Sequence, residues 1–559
     1  MGRPLSIPNF KLLLTAMFPA GTNAWGDNSS SDVPKWPPDL FAFAATLAEH
    51  HGLYAEMEFS GGWDSVSYAF KPAFGARVSA AATAWDKTLE PPQAVSDAWG
   101  RLFAKRRRPR NWSWQRDVIF LLVVADVTCC GMGGEIFARE INFFASVTFE
   151  DLRLYHGKAG GNFLPNLPKS ICWKVPPSFC CVQPKTNTPS VGCTLRSLSH
   201  HLALLPPVGV VETTWLDAAP QETPSDNFNI LLIPFPFHIS ASDFVPHVVA
   251  PDSTNSFFSI RQSWLSHKGK PLGIVSVAEF IIAMIDEAER EATVVHAVVL
   301  PELALDGALV ERIARRIGKR KKNLELFVSG VLDEVRTGHF QNSAFTACFL
   351  RGEMTHYWRQ VKHHRWKLDE AQISRYNLGY SLRPDRNWWE QIDVSKRRCA
   401  FTVIRPGASL ATLVCEDLAR FDPVLPVING VGPTLLIALL MDGPQWERRW
   451  PGRYATVLAD DPGTSVLTLT SLGMINRSTQ TGEQPCRQIA LWKEAGSNTR
   501  ELSLPVGEHG LVLSLSMRRQ ERLSLDKRKF SAETSMFYLS GTRGVKVKDS
   551  SLLRKFTFD

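Results

Sequence analysis

The spacing of the hydrophobic residues changes near residue 226. Before that point, apolar residues recur at three- and four-residue intervals, which is the period of a helix with one buried face. Three stretches follow this pattern: residues 39–57 (DLFAFAATLAEHHGLYAEM), 94–108 (AVSDAWGRLFAKRRR) and 112–133 (WSWQRDVIFLLVVADVTCCGMG). The pattern predicts a mainly helical N-terminal region.

After residue 226, short continuous apolar runs alternate with polar and helical segments. Residues 276–292 (SVAEFIIAMIDEAEREA) have the period of an amphipathic helix. The apolar runs predict strands at 229–237, 294–302, 324–333, 342–353, 409–417, 433–442, 464–472, 489–496 and 510–516. Strands that alternate with helices indicate a layered α/β domain, and a turn at Arg351-Gly352 predicts some antiparallel pairing.

Composition places the domain boundaries. Residues 161–225 are rich in Pro, Gly, Ser and Thr, which is typical of a linker or loop region. We therefore expect a helical domain of unknown role at 1–160, a linker at 161–225, an α/β domain at 226–530 and a C-terminal tail at 531–559.

The chain as a whole has the composition of a soluble globular protein. Of its 559 residues, 44% are hydrophobic and 21% are charged, and the net charge of +8 permits an anionic partner without requiring one. The ten cysteines show no regular disulfide spacing, and no apolar run is as long as a membrane span. We expect reduced thiols and a cytoplasmic location.

Basic runs occur at residues 105–110, 312–323 and 517–530. Such runs most often form solvated faces, and the middle one predicts a surface helix with Ile313 and Ile317 buried. Contact with nucleic acid is permitted by these charges but supported by no motif.

A group of cysteines and histidines could suggest a metal site. The spacing of these residues matches no common zinc pattern, so we expect neither a metal nor an organic cofactor. The group consists of Cys172, Cys180, Cys181, Cys193, His200 and His201.

Three reactive residues lie at or near the ends of predicted strands. Glu302 follows the run VVLP, Lys362 lies in YWRQVKHH, and Cys415 ends the run LATLV. Each one alone is most often structural or solvent-exposed. Together they have the residue types that thiol catalysis needs, because a thiol requires a base and a nearby cation to act as a nucleophile. The ends of strands in an α/β sheet are also where such sheets place ligands.

The ordered set of motifs resembles the nitrilase, or carbon–nitrogen hydrolase, superfamily. The stretches VVLPEL, YWRQVKHH and LVCEDLA appear in the family's order, and NILLIPFPF, FVSGVLDE, FQNSAF and RRWPGRYATVLADDPGTSVLTLTSLG fit the same register. The resemblance covers residues 226–530. Its texture is also similar to that of the nitrilase-like domains associated with bacterial defence reverse transcriptases.

The resemblance implies a four-layer α-β-β-α sandwich with a Glu-Lys-Cys triad. Glu302 would be the general base, Lys362 the cation that stabilises the tetrahedral intermediate, and Cys415 the nucleophile. Glu370 matches the second glutamate, which orients the lysine. The candidates for oxyanion and substrate binding are the N–H of Glu416 and the side chains of Trp446, Trp450 and Arg453.

These roles imply hydrolysis of a non-peptide carbon–nitrogen bond in a small molecule, through a thioester and without a cofactor. The resemblance also favours a chain that forms at least a dimer.

Two residues depart from the family pattern. Lys367 is a rival for Lys362, and Glu416 would raise the thiol pKa if its side chain pointed inward. The alternative is a nitrilase-fold effector or scaffold subunit of an antiviral defence system.

Overall fold

A computed structural model of the chain describes residues 9–18, 33–56, 72–104, 113–130, 169–216, 225–248, 254–290, 294–478, 486–526, 528 and 534–557. The basic run at 105–110 and residues 161–168 of the predicted linker lie outside these ranges. No helix among the described residues is long and apolar enough to cross a membrane.

The described helices number thirteen and the strands twenty-two. The helices are α1 (Phe10–Met17), α2 (Pro37–His50), α3 (Pro72–Thr88), α4 (Gln93–Phe103), α5 (Trp114–Thr128), α6 (Leu195–Leu198), α7 (Ile274–Glu289), α8 (Val310–Arg320), α9 (Glu370–Arg375), α10 (Leu425–Val431), α11 (Trp450–Asp460), α12 (Leu472–Ser478) and α13 (Ser550–Leu553). The strands are β1 (Cys181–Pro184), β2 (Leu202–Leu205), β3 (Glu212–Leu216), β4 (Asn227–Leu232), β5 (Phe244–His247), β6 (Asn255–Ile260), β7 (Ser266–His267), β8 (Lys270–Pro271), β9 (Ala297–Asp306), β10 (Leu326–Arg336), β11 (His339–Leu350), β12 (Glu353–Val361), β13 (Lys367–Leu368), β14 (Asn387–Glu390), β15 (Arg398–Arg405), β16 (Ala408–Val414), β17 (Leu435–Leu440), β18 (Ser465–Thr470), β19 (Gln488–Lys493), β20 (Arg500–Ser503), β21 (Gly510–Gln520) and β22 (Thr534–Val545).

Helices α1 to α5 have their own hydrophobic core, in which α5 packs against α2, α3 and α4. Two buried carboxylates tie this core to the chain that follows. Asp39 accepts backbone hydrogen bonds from residues 173–175, and Asp126 accepts them from residues 200–202. Burial raises the pKa of Asp39 to about 6. These bonds satisfy charges that would otherwise be costly to bury.

Two seven-stranded sheets form the larger core. Their orders are β12-β11-β10-β9-β4-β21-β22 and β20-β19-β18-β17-β16-β15-β3. The two sheets contact each other through β9 against β17 and β18, and through β11 against β16. Helix α8 packs on β11 and β12, while α11 packs on β18 and β19. The prediction of a mixed α/β domain is confirmed.

The hairpin between β11 and β12 turns at Arg351 and Gly352. Both residues have positive φ, at 52° and 89°, as a two-residue turn that matches the twist of its strands requires. Helix α8 carries the middle basic run, and its Ile313 and Ile317 are buried as the pattern predicts. The basic side chain of Arg316 pairs with Glu279 of α7.

The segments expected to be linker and tail contribute strands to the large sheets. Strand β3, within the predicted linker, pairs in parallel with β15, and β22, within the predicted tail, pairs with β21 over its whole length. A smaller sheet, with the order β13-β14-β6-β5, was also not expected. Its strands are only two to six residues long, too short for a hydrophobic period to mark them.

Candidate active site

Glu302 lies within β9, where the strand departs from regular pairing. The parallel register between β9 and β10 shifts around Gly330, and Leu303 has a positive φ of 60°. The backbone at Glu302 passes so close to Gly330 that a Cβ there would lie 2.3 Å from Glu302 Cα. The irregularity directs the Glu302 carboxylate into the interior, and it depends on the glycine opposite.

Replacing Gly330 by alanine is therefore expected to disturb the site. The added methyl group meets backbone atoms of Pro301, Glu302 and Leu303, so the strand must move, at a cost of about 1–3 kcal/mol in the free energy of unfolding. Urea unfolding and the rate of substrate hydrolysis would measure the two effects. Gly379→Ala is the matched control, because a Cβ at Gly379 meets nothing within 4 Å. Equal stability of the two variants would contradict this role of Gly330.

Lys362 follows the last residue of β12 and lies between two glutamates. Its Nζ is 2.8 Å from Glu302 Oε1 and 2.7 Å from Glu390 Oε2. The side chains of Lys362, Glu302 and Glu390 are 0%, 1% and 4% exposed. Asn342 of β11 donates from Nδ2 to both carboxylates, at 2.7 and 2.8 Å. One ammonium group and one amide therefore hold two buried carboxylates in place.

Burial and the neighbouring opposite charges shift the pKa values of Lys362 and Glu302 in opposite directions. The two carboxylates hold the pKa of Lys362 well above its ordinary value, so the side chain is a permanent cation. Burial raises the pKa of Glu302, with Glu390 adding to the effect and Lys362 opposing it. A carboxylate with a raised pKa is a stronger proton acceptor than an exposed glutamate.

Cys415 directly follows β16 and begins a short 3-10 helix, Cys415–Ala419. It is 4% exposed and has a positive φ of 46°, an uncommon conformation for a residue with a side chain. Burial and the charge of Glu302 raise the thiol pKa well above its ordinary value, and the charge of Glu416 adds to this rise. Lys362 and a hydrogen bond from the backbone of Met441 oppose it. The structure thus brings Glu302, Lys362 and Cys415 into one electrostatic cluster.

One oxygen of Glu302 is free to accept a proton. Its Oε1 accepts hydrogen bonds from Lys362 and Asn342. Within the described part of the chain, its Oε2 is buried and has no hydrogen-bond partner. Since an unsatisfied buried carboxylate oxygen is costly, a group that occupies the site is expected to supply the missing donor.

The two acidic residues after Cys415 have different surroundings. Glu416 forms an ion pair with Arg420, four residues later, at 2.8 Å, and its side chain is 19% exposed. Asp417 is buried and accepts hydrogen bonds at 2.9–3.1 Å from the backbone N–H groups of His363 and His364. Asp417 therefore positions the residues next to Lys362, and the Glu416 side chain is directed toward Arg420.

Glu370 does not occupy the place expected for the second glutamate. It is exposed at the first residue of α9, whereas Lys362 is completely buried. Glu390, the last residue of β14, contacts Lys362 instead. The resemblance suggested Glu370, but the small sheet brings the more distant Glu390 to the lysine. Lys367, the rival lysine, is also exposed.

This difference leads to a prediction for a matched pair of variants. Glu390→Gln removes one charge of the buried cluster and so weakens a hydrogen bond between charged groups. Such bonds contribute about 1.5–3 kcal/mol, so we expect kcat/KM to fall about 10- to 100-fold. Glu370→Gln, at an exposed helix start, is expected to leave kcat/KM unchanged. Steady-state kinetics would compare them, and a larger loss for Glu370→Gln would contradict the placement of Glu390.

A small cavity of about 60 Å³ adjoins the cysteine. Trp446 and Arg453, expected to line it, do not. Trp446 contacts Arg448, whose Cζ is 4.9 Å from the ring centre, and Arg453 is exposed on α11. The residues that line the cavity are Trp366, Gln372, Arg375, Tyr376, Cys415, Glu416, Met441, Asp442, Arg449 and Trp450. Of the residues proposed from the sequence, Cys415, Glu416 and Trp450 line it, whereas Glu302 and Lys362 do not.

Sequence reasoning missed several polar residues of the site. Glu390 follows two tryptophans in NWWEQI, and a carboxylate directly after such an aromatic pair could have indicated burial. Asp442 ends the apolar run LLIALLM, and a polar residue at the end of such a run is a recognisable signal. Asn342 lies between Gln341 and Ser343, so its immediate neighbours gave no such signal.

Cysteines and histidines considered as metal ligands form hydrogen bonds with other parts of the chain. The Cys172 thiol donates to Pro38 O, and His200 Nδ1 lies 2.9 Å from Thr188 Oγ1. Among the residues that the structure describes, no three His, Cys, Asp or Glu side chains are grouped so that they could hold a metal ion.

Comparisons with known proteins give matches among solved structures alone. No protein-family model and no curated protein matches the chain. A nitrilase-superfamily amidase from Nesterenkonia AN1 matches 60% of this chain and 96% of its own, at 11% identity and a TM-score of 0.28. A carbon-nitrogen hydrolase from Helicobacter pylori G27 matches 59% of this chain and 92% of its own, at 11% identity and a TM-score of 0.28.

A glutamine-dependent NAD+ synthetase from Acinetobacter baumannii also matches, at 12% identity and a TM-score of 0.30. The match covers 52% of this chain and 46% of the synthetase, so this chain corresponds to less than half of that protein. All these TM-scores lie below 0.5, and the functional proposal is therefore based on the geometry of the site.

Proposed function

We propose that the chain is a cysteine-dependent hydrolase of a non-peptide carbon–nitrogen bond, with Cys415 as nucleophile. One observation carries this proposal. A thiol that lines a cavity lies within the electrostatic reach of a buried lysine and of a glutamate that has one free oxygen. A base, a cation and a nucleophile at one site are what covalent hydrolysis of an amide requires. We also propose that the two seven-stranded sheets and the helices packed on them form a four-layer α-β-β-α sandwich, which extends beyond the expected residues 226–530 through β3 and β22.

The first half of the reaction forms a thioester. Glu302 Oε2 takes the thiol proton as Cys415 Sγ attacks the substrate carbonyl carbon, which gives a tetrahedral oxyanion. The Lys362 ammonium and the N–H of Glu416 stabilise that negative charge. Glu302 then returns the proton to the leaving nitrogen, the carbon–nitrogen bond breaks, and the amine or ammonia departs.

The second half restores the thiol. Glu302 takes a proton from a water molecule, whose oxygen attacks the thioester carbon. The carbon–sulfur bond breaks, the carboxylic acid is released, and the proton on Glu302 passes back to Cys415 Sγ. Lys362 remains protonated throughout, because Glu302 and Glu390 both stabilise its charge. Its role is electrostatic and does not require a proton to move.

The resting site suits this proton transfer. The raised pKa of Cys415 keeps the thiol protonated before substrate binds, and the raised pKa of Glu302 makes the acceptor more basic. A cavity of about 60 Å³ has room for a small substrate portion, since about 10–15 Å³ of such volume holds one water molecule. These dimensions favour small amides, nitriles or carbamoyl compounds.

Release of ammonia from small primary amides tests the proposal. The wild-type chain should release ammonia, and Cys415→Ala should abolish the reaction. Cys399→Ala is the matched control, because Cys399 is also buried but lies in β15 and does not line the cavity. Hydrolysis retained by Cys415→Ala would refute the nucleophile, and a folded but inert wild type would favour the effector or scaffold alternative.

A further inference from the structure

Asp442 lies two residues after the end of strand β17. It is 4% exposed and lines the same cavity as Cys415. Its Oδ1 accepts three hydrogen bonds: 2.5 Å from the Tyr376 hydroxyl, 2.7 Å from Arg449 Nη2 and 2.8 Å from the N–H of Gly443. These three donors fix the orientation of the carboxylate.

The other oxygen of Asp442 has no such partner. Among the described residues, Oδ2 is buried and accepts no hydrogen bond. A buried carboxylate oxygen without a donor is costly, and native structures rarely leave one so. Since Asp442 lines the cavity, a molecule in the cavity can supply the missing donor.

The charge of Asp442 is already compensated. Arg449 pairs with it at 2.7 Å and is itself held by a hydrogen bond to the Pro444 carbonyl. A second full cation would therefore add a net positive charge, whereas a neutral N–H or O–H group would satisfy Oδ2 without one. This balance favours a neutral hydrogen-bond donor.

From these contacts we propose that Asp442 is a specificity-determining residue that selects substrates with a neutral hydroxyl or N–H donor. The inference rests on the proposed function, because it concerns the same cavity. The small volume of the cavity places that donor within a few atoms of the carbonyl carbon that Cys415 attacks. The substrate class is a small amide, or related compound, with a donor group on the carbon next to the carbonyl.

Two ligands of similar size test whether the site prefers a hydrogen-bond donor or an acceptor next to the carbonyl group. Lactamide has a hydroxyl group beside its carbonyl, and pyruvamide has a ketone oxygen, which only accepts. Binding is measured by calorimetry in the full chain with Cys415→Ala, so that neither ligand is turned over. Lactamide should bind at least tenfold more tightly than pyruvamide.

Asp442→Asn then tests the residue. The three donors around Oδ1 hold the amide oxygen in place, so an N–H₂ group replaces Oδ2 and can donate to the ketone of pyruvamide. In Cys415→Ala/Asp442→Asn, the preference for lactamide should fall at least tenfold. Asp385→Asn, at a surface acid that pairs with Arg383, is the control and should leave the preference unchanged.

A preference below tenfold with Asp442 present, an unchanged preference in Asp442→Asn, or no binding of either ligand would overturn the inference. The first comparison needs no substitution at Asp442, so the inference is tested even if Asp442→Asn does not fold. Hydrolysis by the wild-type chain is assayed separately. A failure of the reaction is thereby distinguished from a failure of recognition by Asp442.

Discussion

Replacing Lys362 by methionine is expected to abolish hydrolysis and to lower the free energy of unfolding by about 3–5 kcal/mol. Lys362 is completely buried and contacts Glu302 at 2.8 Å and Glu390 at 2.7 Å. Without its ammonium group, two carboxylates remain buried next to each other with no cation. The tetrahedral oxyanion also loses its charged partner. Steady-state kinetics and urea unfolding would measure the two losses.

Lys367→Met provides the matched control for this experiment. Lys367 is five positions further along the same polar segment, but it is exposed and its Nζ lies 5.8 Å from the centre of the Trp389 ring. A cation in that position contributes little to stability, so activity and the free energy of unfolding should change little. A larger loss of activity for Lys367→Met than for Lys362→Met would show that the catalytic role had been assigned to the wrong lysine.

Glu302→Gln is expected to reduce kcat by about 10²–10⁴-fold, the usual contribution of a general base. Glutamine has nearly the same shape and can still accept hydrogen bonds from Lys362 and Asn342, so the chain should remain folded. It cannot take the thiol proton or return one to the leaving nitrogen. Turnover is therefore lost even though the cluster keeps its geometry.

The pH dependence of the reaction separates this chemical role from a structural one. In the wild type, kcat/KM should fall as the pH drops, because the carboxylate of Glu302 takes up a proton and no longer accepts one. Burial raises the pKa of Glu302, so this fall begins at a higher pH than for an exposed glutamate. Glu302→Gln should lack this acidic limb. An acidic limb that persists unchanged in the variant would contradict the role of Glu302 as base.

The strands and helices of the α/β domain could be predicted because each is marked by a hydrophobic pattern within its own short stretch of sequence. The apolar runs before Glu302 and Cys415 are continuous and buried, so both residues could be placed next to strands without knowledge of the fold. Lys362 could be placed with them only through the order of the motifs. The period of three and four residues likewise predicted helices α2, α4 and α5. Their starts lie within two residues of the predicted starts, but the helices end at His50, Phe103 and Thr128, five to seven residues before the predicted stretches do.

Glu390 could not be found in the same way, because its position depends on contacts distant in the chain. Strand β14 pairs in parallel with β6, and Asn387 lies opposite Asn255. That pairing, and not the distance along the chain, brings Glu390 to Lys362. The orientation of Glu416 was in principle readable, because Arg420 lies four residues later and pairs of opposite charge at this spacing attract each other.

Although the resting thiol of Cys415 has a raised pKa, we expect Glu302 and Lys362 to make it reactive when an amide occupies the cavity. A competition among the cysteines measures this reactivity. A limiting amount of chloroacetamide, an amide with a leaving group, is added to the wild-type chain and to Lys362→Met. Peptide mass spectrometry then measures the alkylation of every cysteine over time. Exposure alone would favour Cys130, which is exposed, over Cys415, which is 4% exposed.

We expect Cys415 to be alkylated before Cys130 in the wild type, because the amide occupies the cavity beside Cys415 and Glu302 accepts the thiol proton. Lys362→Met should slow the alkylation of Cys415 at least tenfold and leave that of Cys130 unchanged, because Lys362 opposes the rise in the thiol pKa that burial and Glu302 cause. Alkylation that follows exposure, with Cys130 first and Cys415 unreactive in both chains, would contradict the activation of Cys415.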